Sequence, residues 1–227
     1  PLFSLESAPL IGGRLDRVAL IALFLLAGYV LSGLAGEIVG SRLAGTVLQI
    51  ALTLVAARIA FSGPIGFRDV GLSREHFGRH VLVGLAVWAM TAPLLMLAIA
   101  LAARLAPYLP EPNHPVADQV ATAGPLELVG FFLLVAVLAP FWEELFFRGL
   151  LFPGLSRLTK AGPAAGAFLS SLLFASFHPQ GIALWAGLGA IGAMSCFAVH
   201  HTRSLVPSLV LHAVHNAAIL CLGLLTR

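Results

Sequence analysis

Charge is what this sequence has least of. Only 10% of its 227 residues are Asp, Glu, Lys or Arg, 59% are hydrophobic, and the mean hydropathy is +0.97. Soluble globular domains carry about 25% charge. A chain this poor in charge lacks a wettable surface, so its natural solvent is a lipid bilayer. The net charge is only +3 and the basic residues are scattered, which argues against a nucleic-acid partner. Lysine is nearly missing: Lys160 stands against twelve arginines, a bias that points to a GC-rich bacterial genome. Cysteine occurs twice, at Cys196 and Cys221, in apolar stretches and outside any C-x-x-C pair. That argues against a disulfide framework or a thiolate metal site, and both read as small core residues. There is no internal repeat, no low-complexity tract and no stretch polar enough to be a soluble domain.

What the sequence does have is long apolar runs. A spanning helix needs about 20 mostly apolar residues. Seven stretches qualify or come close: Val18 to Gly36, Leu43 to Phe61, Val81 to Ala103, Leu128 to Phe152, Ala161 to Phe177, Ile182 to Val199 and Leu205 to Leu225. Spanning backbone must satisfy its hydrogen bonds internally. The expected fold is therefore all-α, a polytopic transmembrane bundle of about seven spans (six to eight). It forms one integral-membrane domain over residues 1–227, with the polar motifs confined to 128–225. The first run is itself long enough to span, so no cleaved leader is required, and a chain that starts at Pro1 leaves room for an eighth span before it.

The loops set the orientation. With the N-terminus in the cytoplasm, Arg14, Arg17, Arg58, Arg68, Arg74, Arg79, Arg157, Lys160 and Arg203 fall on that side, and Arg42, Arg104 and Arg227 fall on the other. Nine against three predicts an N-terminus inside and a C-terminus outside. Phe67 to His80 mixes basic and apolar residues, as a surface helix capped by Ser73 or a solvated lead-in would. Pro107 to Pro125 is proline-rich and reads as an irregular external loop.

The sparse charge is also oddly placed. Residues 141–151 read FWEELFFRGLL, with two glutamates and an arginine inside an apolar run. Residues i and i+4 share a helix face, so Glu144 and Arg148 can neutralise each other. Glu143 is turned about 100° away and left free. This predicts a structural pair beside a carboxylate available for chemistry, because an ionisable residue inside a membrane is expensive and marks function. The alternative is one buried cluster of all three. Two further i, i+4 pairs follow: Phe174 with His178, just before a helix-breaking Pro179 and Gly181, and His212 with Asn216. The alternatives are an interfacial histidine for the first and a polar stripe joining helices for the second.

Depth brings the three pairs together. At 1.5 Å per residue from the nearest cytoplasmic turn, Glu143 lies roughly 18 Å up, His178 roughly 24 Å, His212 roughly 14 Å and Asn216 roughly 20 Å. All fall inside a hydrocarbon layer about 30 Å thick. A carboxylate and an imidazole can activate a water between them. A second histidine and an asparagine amide can donate hydrogen bonds to a developing oxyanion. That is a complete set for hydrolysing a peptide bond without a covalent intermediate.

The order and spacing of Glu143-Glu144-x-x-x-Arg148-Gly149, Phe174-x-x-x-His178 and His212-x-x-x-Asn216 resemble the three-motif signature of the CPBP family. This family includes the type II CAAX prenyl endopeptidases and the bacterial Abi-type intramembrane proteases. The resemblance covers roughly Phe141 to Asn216. It implies that Glu143 and His178 position and activate the water, that His212 and Asn216 form the oxyanion hole, and that Glu144, Arg148 and Phe174 support the site. The expectation that follows is an endopeptidase without a metal cofactor, acting on a membrane-associated peptide or protein, as a multi-pass protein of the bacterial inner membrane.

Rival chemistries are available to the same residues. Two histidines and a glutamate can hold zinc with an open position for water, although H-E-x-x-H is missing. Ser195 in GAMSC can be paired with His212 or His215 as a serine nucleophile, which leaves the glutamates without a role. Intramembrane charge also marks transport paths, but the chain shows neither an inverted repeat nor paired broken helices. A non-catalytic scaffold or a bacteriocin self-immunity protein stands beside these as the reading without turnover.

Overall fold

A computed structural model describes residues 42–60, 71–72, 74–105, 120, 122–158, 161–178 and 184–225. Among them every regular element is helical: α1 (Arg42–Ala60), α2 (Phe77–Leu105), α3 (Pro125–Leu133), α4 (Ala139–Glu144), α5 (Phe152–Leu158), α6 (Gly162–Ser176), α7 (Trp185–Thr202) and α8 (Val206–Leu225). α3, α4 and α5 are one continuous helical path, joined by π-helical turns over Leu134–Leu138 and Leu145–Leu151. The expected helical membrane bundle is the observed architecture. By length and composition, Phe77–Leu97, Pro125–Arg157 and Val206–Leu225 are long and apolar enough to cross a membrane, and Gly162–Ser176 is a shorter apolar helix. The expected first span, Val18 to Gly36, lies outside the described residues, as do Phe67 to Val70, Ser73, most of the Pro107 to Pro125 loop and the Pro179-Gln180-Gly181 break.

Local sequence explains where the helices start and turn. Pro125 occupies the first turn of α3, where its missing N–H costs nothing. The Glu127 carboxylate accepts the Gly124 N–H at 2.9 Å. α7 stops at Arg203, whose left-handed φ of 56° lets its N–H reach the Val199 carbonyl. Ser204 then accepts the Val206 N–H, while its hydroxyl and the Leu205 N–H both donate to the Gly71 carbonyl. So short a turn makes α7 and α8 antiparallel neighbours, and it ties the approach to α2 to the same point.

The bundle buries a set of polar side chains beside its apolar core and turns many large apolar side chains outward. Leu82, Val129 and Phe168 are exposed, as are many other large apolar side chains, whereas Glu144, Arg148, Ser170, Ser195, Ser208 and His212 are buried. That arrangement suits a molecule whose surroundings are hydrocarbon. Val87 and Leu95 of α2 pack on Ile191 and Ala198 of α7 and on Leu211 of α8. Two glycines allow this closeness. A Cβ at Gly192 would come within 2.8 Å of the Ser171 Cβ across α6 and α7, and one at Gly84 within 2.7 Å of the Pro207 carbonyl across α2 and α8. Cys196 is buried in this core. Cys221, expected there too, is instead exposed on the outward face of α8. Apolar character places a residue inside a soluble protein, but in a bilayer it suits the lipid face equally.

Candidate active site

Three parts of the bundle converge. α4 and the π turn after it carry Glu143, Glu144 and Arg148; α6 carries Phe174, with His178 just past its end; α8 carries His212 and Asn216. The structure brings Glu143, Glu144, Arg148, Phe174, His178 and His212 into mutual contact, whereas Asn216 bonds elsewhere.

The Glu144–Arg148 pair is the sealed half. Both side chains are 0% exposed, and Arg148 Nη1 donates to Glu144 Oε1 at 2.7 Å. Such a pair survives burial only with good geometry and further partners. The first is His212, whose Nδ1 lies 2.9 Å from the same Glu144 oxygen. Glu144 is therefore more than a counter-ion to Arg148, because its carboxylate also sets the tautomer and plane of His212. The second is Phe174, buried at 1% exposure, with the Arg148 guanidinium carbon 4.4 Å from its ring centroid. The same ring lies 4.5 Å from the His178 ring and 5.5 Å from the His212 ring. Phe174 is thus the common wall of both imidazoles and the cap on the arginine.

The open half is Glu143. Its side chain is 32% exposed, and Oε2 stands 3.8 Å from His178 Nε2 and 3.7 Å from His212 Nε2. That oxygen has no hydrogen-bond partner among the described residues. The Nδ1 of His178 lies 2.7 Å from the Phe174 carbonyl, an atom that can only accept, so Nδ1 carries the hydrogen. Both histidines are therefore fixed through Nδ1, one by a carbonyl and one by a carboxylate, and both turn Nε2 towards one glutamate oxygen.

Asn216 stands apart from these contacts. Its Nδ2 donates to the Val135 carbonyl at 2.8 Å, in the first π turn. The second π turn has a matching cross-helix bond, from the Ser170 hydroxyl of α6 to the Phe147 carbonyl at 3.1 Å. Val135 and Phe147 were not visible as site residues in the sequence, since a backbone carbonyl carries no side-chain signature. The available signals were Pro140, five residues after Val135, and Ser170, one turn before Phe174. Ser195 is fully buried and its hydroxyl has no hydrogen-bond partner among the described residues. With no hydrogen bond from Ser195 to either His212 or His215 among the described residues, it lacks the base that a nucleophile needs. Among the described residues, no three or more His, Cys, Asp and Glu side chains form a ready-made metal cage.

Residues 125–218 match the family model described as Rce1-like, type II CAAX prenyl endopeptidase Rce1-like. The match covers less than half of the chain and contains every site residue named above. The match supports, for this motif-bearing part, the likeness to a CAAX/CPBP-like protease family that the three motifs implied. No curated protein and no solved structure gives a significant match to the chain.

Proposed function

We propose that this chain, whose residues 125–218 fall in a CAAX/CPBP-like protease family, is a metal-independent intramembrane endopeptidase acting on a membrane-associated peptide or protein. The observation that carries the proposal is the shared focus of Glu143 Oε2 and the two Nε2 atoms, 3.8 and 3.7 Å away. A water held by Glu143 and His178 loses a proton to the carboxylate as its oxygen attacks the scissile carbonyl carbon. The resulting oxyanion accepts hydrogen bonds from His212 and Asn216. His212 donates to the oxyanion through Nε2 in the form that carries a hydrogen on both ring nitrogens, with Nδ1–H on Glu144. Collapse of the tetrahedral intermediate returns the Glu143 proton to the departing amine nitrogen.

We infer that the protein resides in the bacterial inner membrane; the nine-to-three distribution of basic residues supports an N-terminus in the cytoplasm. No residue of the site calls for a prenyl group on the substrate. A zinc-dependent variant is the second reading, and one observation favours it. Nδ1–H held by a carboxylate or a carbonyl is the way zinc-binding histidines are oriented.

The test is mass spectrometry of new peptide termini in membranes of cells making wild type, Glu143→Gln or His178→Ala at equal levels, in a host containing the native partners. Termini found only with wild type support the protease and name its substrate. Loss of that signal on chelation, with recovery on added zinc, moves the assignment to the metalloenzyme. Identical termini in all three samples sink the protease and leave the scaffold or self-immunity reading.

A further inference from the structure

Pro140 lies in the turn that carries Glu143, three residues before it, and is buried. Proline has no N–H. Just upstream the helix is in π register: the Ala139 N–H bonds the Leu134 carbonyl, five residues back. In that register the Val135 carbonyl should be taken by the N–H of residue 140, which does not exist. The α alternative, the N–H of Ala139, is already spent on Leu134. A carbonyl left unpaired at membrane depth is strongly disfavoured. It is instead taken by Asn216 Nδ2 at 2.8 Å, from a helix 81 residues away in sequence.

We propose that Pro140 is a positioning residue for Asn216: by withholding an N–H it frees the Val135 carbonyl, which fixes the Asn216 amide with its nitrogen towards the glutamate-bearing helix. A carbonyl can only accept, so it selects the NH2 end of the amide over the oxygen end. One of the two N–H groups is used in this contact, and the second stays available to a developing oxyanion. The same bond holds α8, and with it His212 one turn earlier, in register with Glu143. The catalytic consequence rests on the endopeptidase reading, while the hydrogen-bond switch does not.

The sequence contains two asparagines, Asn113 and Asn216. Protein labelled with 15N-asparagine therefore gives two pairs of side-chain amide proton signals, and Asn216→Leu identifies which pair belongs to position 216. In Pro140→Ala, whether the segment keeps its π turn or relaxes to α geometry, the Val135 carbonyl gains a backbone donor. The expected result is that one Asn216 amide proton loses its hydrogen-bonded shift and exchanges with water at least about tenfold faster. Asn216→Leu should raise the unfolding equilibrium constant about tenfold with Pro140 present, and hardly at all in combination with Pro140→Ala. Against a substrate that wild type cleaves, Pro140→Ala should lower kcat with KM unchanged. An unaltered Asn216 amide in Pro140→Ala, or additive effects of the two substitutions on unfolding, would overturn the proposal. Absence of cleavage by wild type would count against the endopeptidase alone, since the amide and unfolding measurements need no substrate.

Discussion

Glu143 and Glu144 are neighbours in the sequence, yet one side chain is 32% exposed and the other 0%. Glu144 has two strong partners on one oxygen, Arg148 and His212, while the nearest ring nitrogens to Glu143 stay beyond hydrogen-bond range at 3.7 and 3.8 Å. The difference follows from helix geometry. A step of about 100° separates consecutive residues, so one carboxylate meets the arginine four residues on and the other turns towards α6 and α8. Stability and chemistry are thereby assigned to adjacent positions. The sealed half holds the imidazoles rigid, and the open half faces them at 3.7 and 3.8 Å, beyond a direct hydrogen bond.

Substitutions in each half should separate these duties. The largest effect is expected at the open half. His178→Ala should lower the cleavage rate by about 10²- to 10⁴-fold, the usual yield of a positioned acid–base group. Unfolding in mixed micelles should be nearly unchanged, and a comparable loss of folding stability would merge the two halves. Arg148→Met attacks the sealed half. It leaves Glu144 as a buried charge without its main partner and should cost about 3–5 kcal/mol of folding stability, read from the same unfolding transition. A cost below about 1 kcal/mol would mean that the pair is not what closes the site. Phe174→Leu touches both halves through its ring contacts. It should cost about 2 kcal/mol and also reduce kcat, because both imidazoles lose their common wall. Leu82→Ala, on the outward face of α2, should change stability by less than about 0.5 kcal/mol. Lipid is as apolar as leucine, so little is lost there.

The site was largely legible because its logic is side-chain spacing on helices. Three i, i+4 pairs in consecutive apolar runs are countable, and rise per residue gave a common depth for Glu143, His178, His212 and Asn216. What the sequence hid is backbone register. Hydropathy has no term for the π turns over Leu134–Leu138 and Leu145–Leu151, so the Val135 and Phe147 carbonyls could not be foreseen as acceptors for Asn216 and Ser170. The double duty of Glu144 was hidden for a related reason, since its partner His212 lies 68 positions away and on another helix. Cys221 shows the third limit: without water outside, apolar side chains do not sort into core and surface.

The most direct test of the account uses purified Glu143→Gln protein in lipid discs, with the cleavage rate and the melting temperature measured on the same sample. The amide keeps the size of the side chain and removes its basicity. The account predicts that cleavage falls by at least about a hundredfold while the melting temperature stays within about 2–4 °C of wild type. Cleavage close to the wild-type rate in a folded Glu143→Gln sample would contradict it.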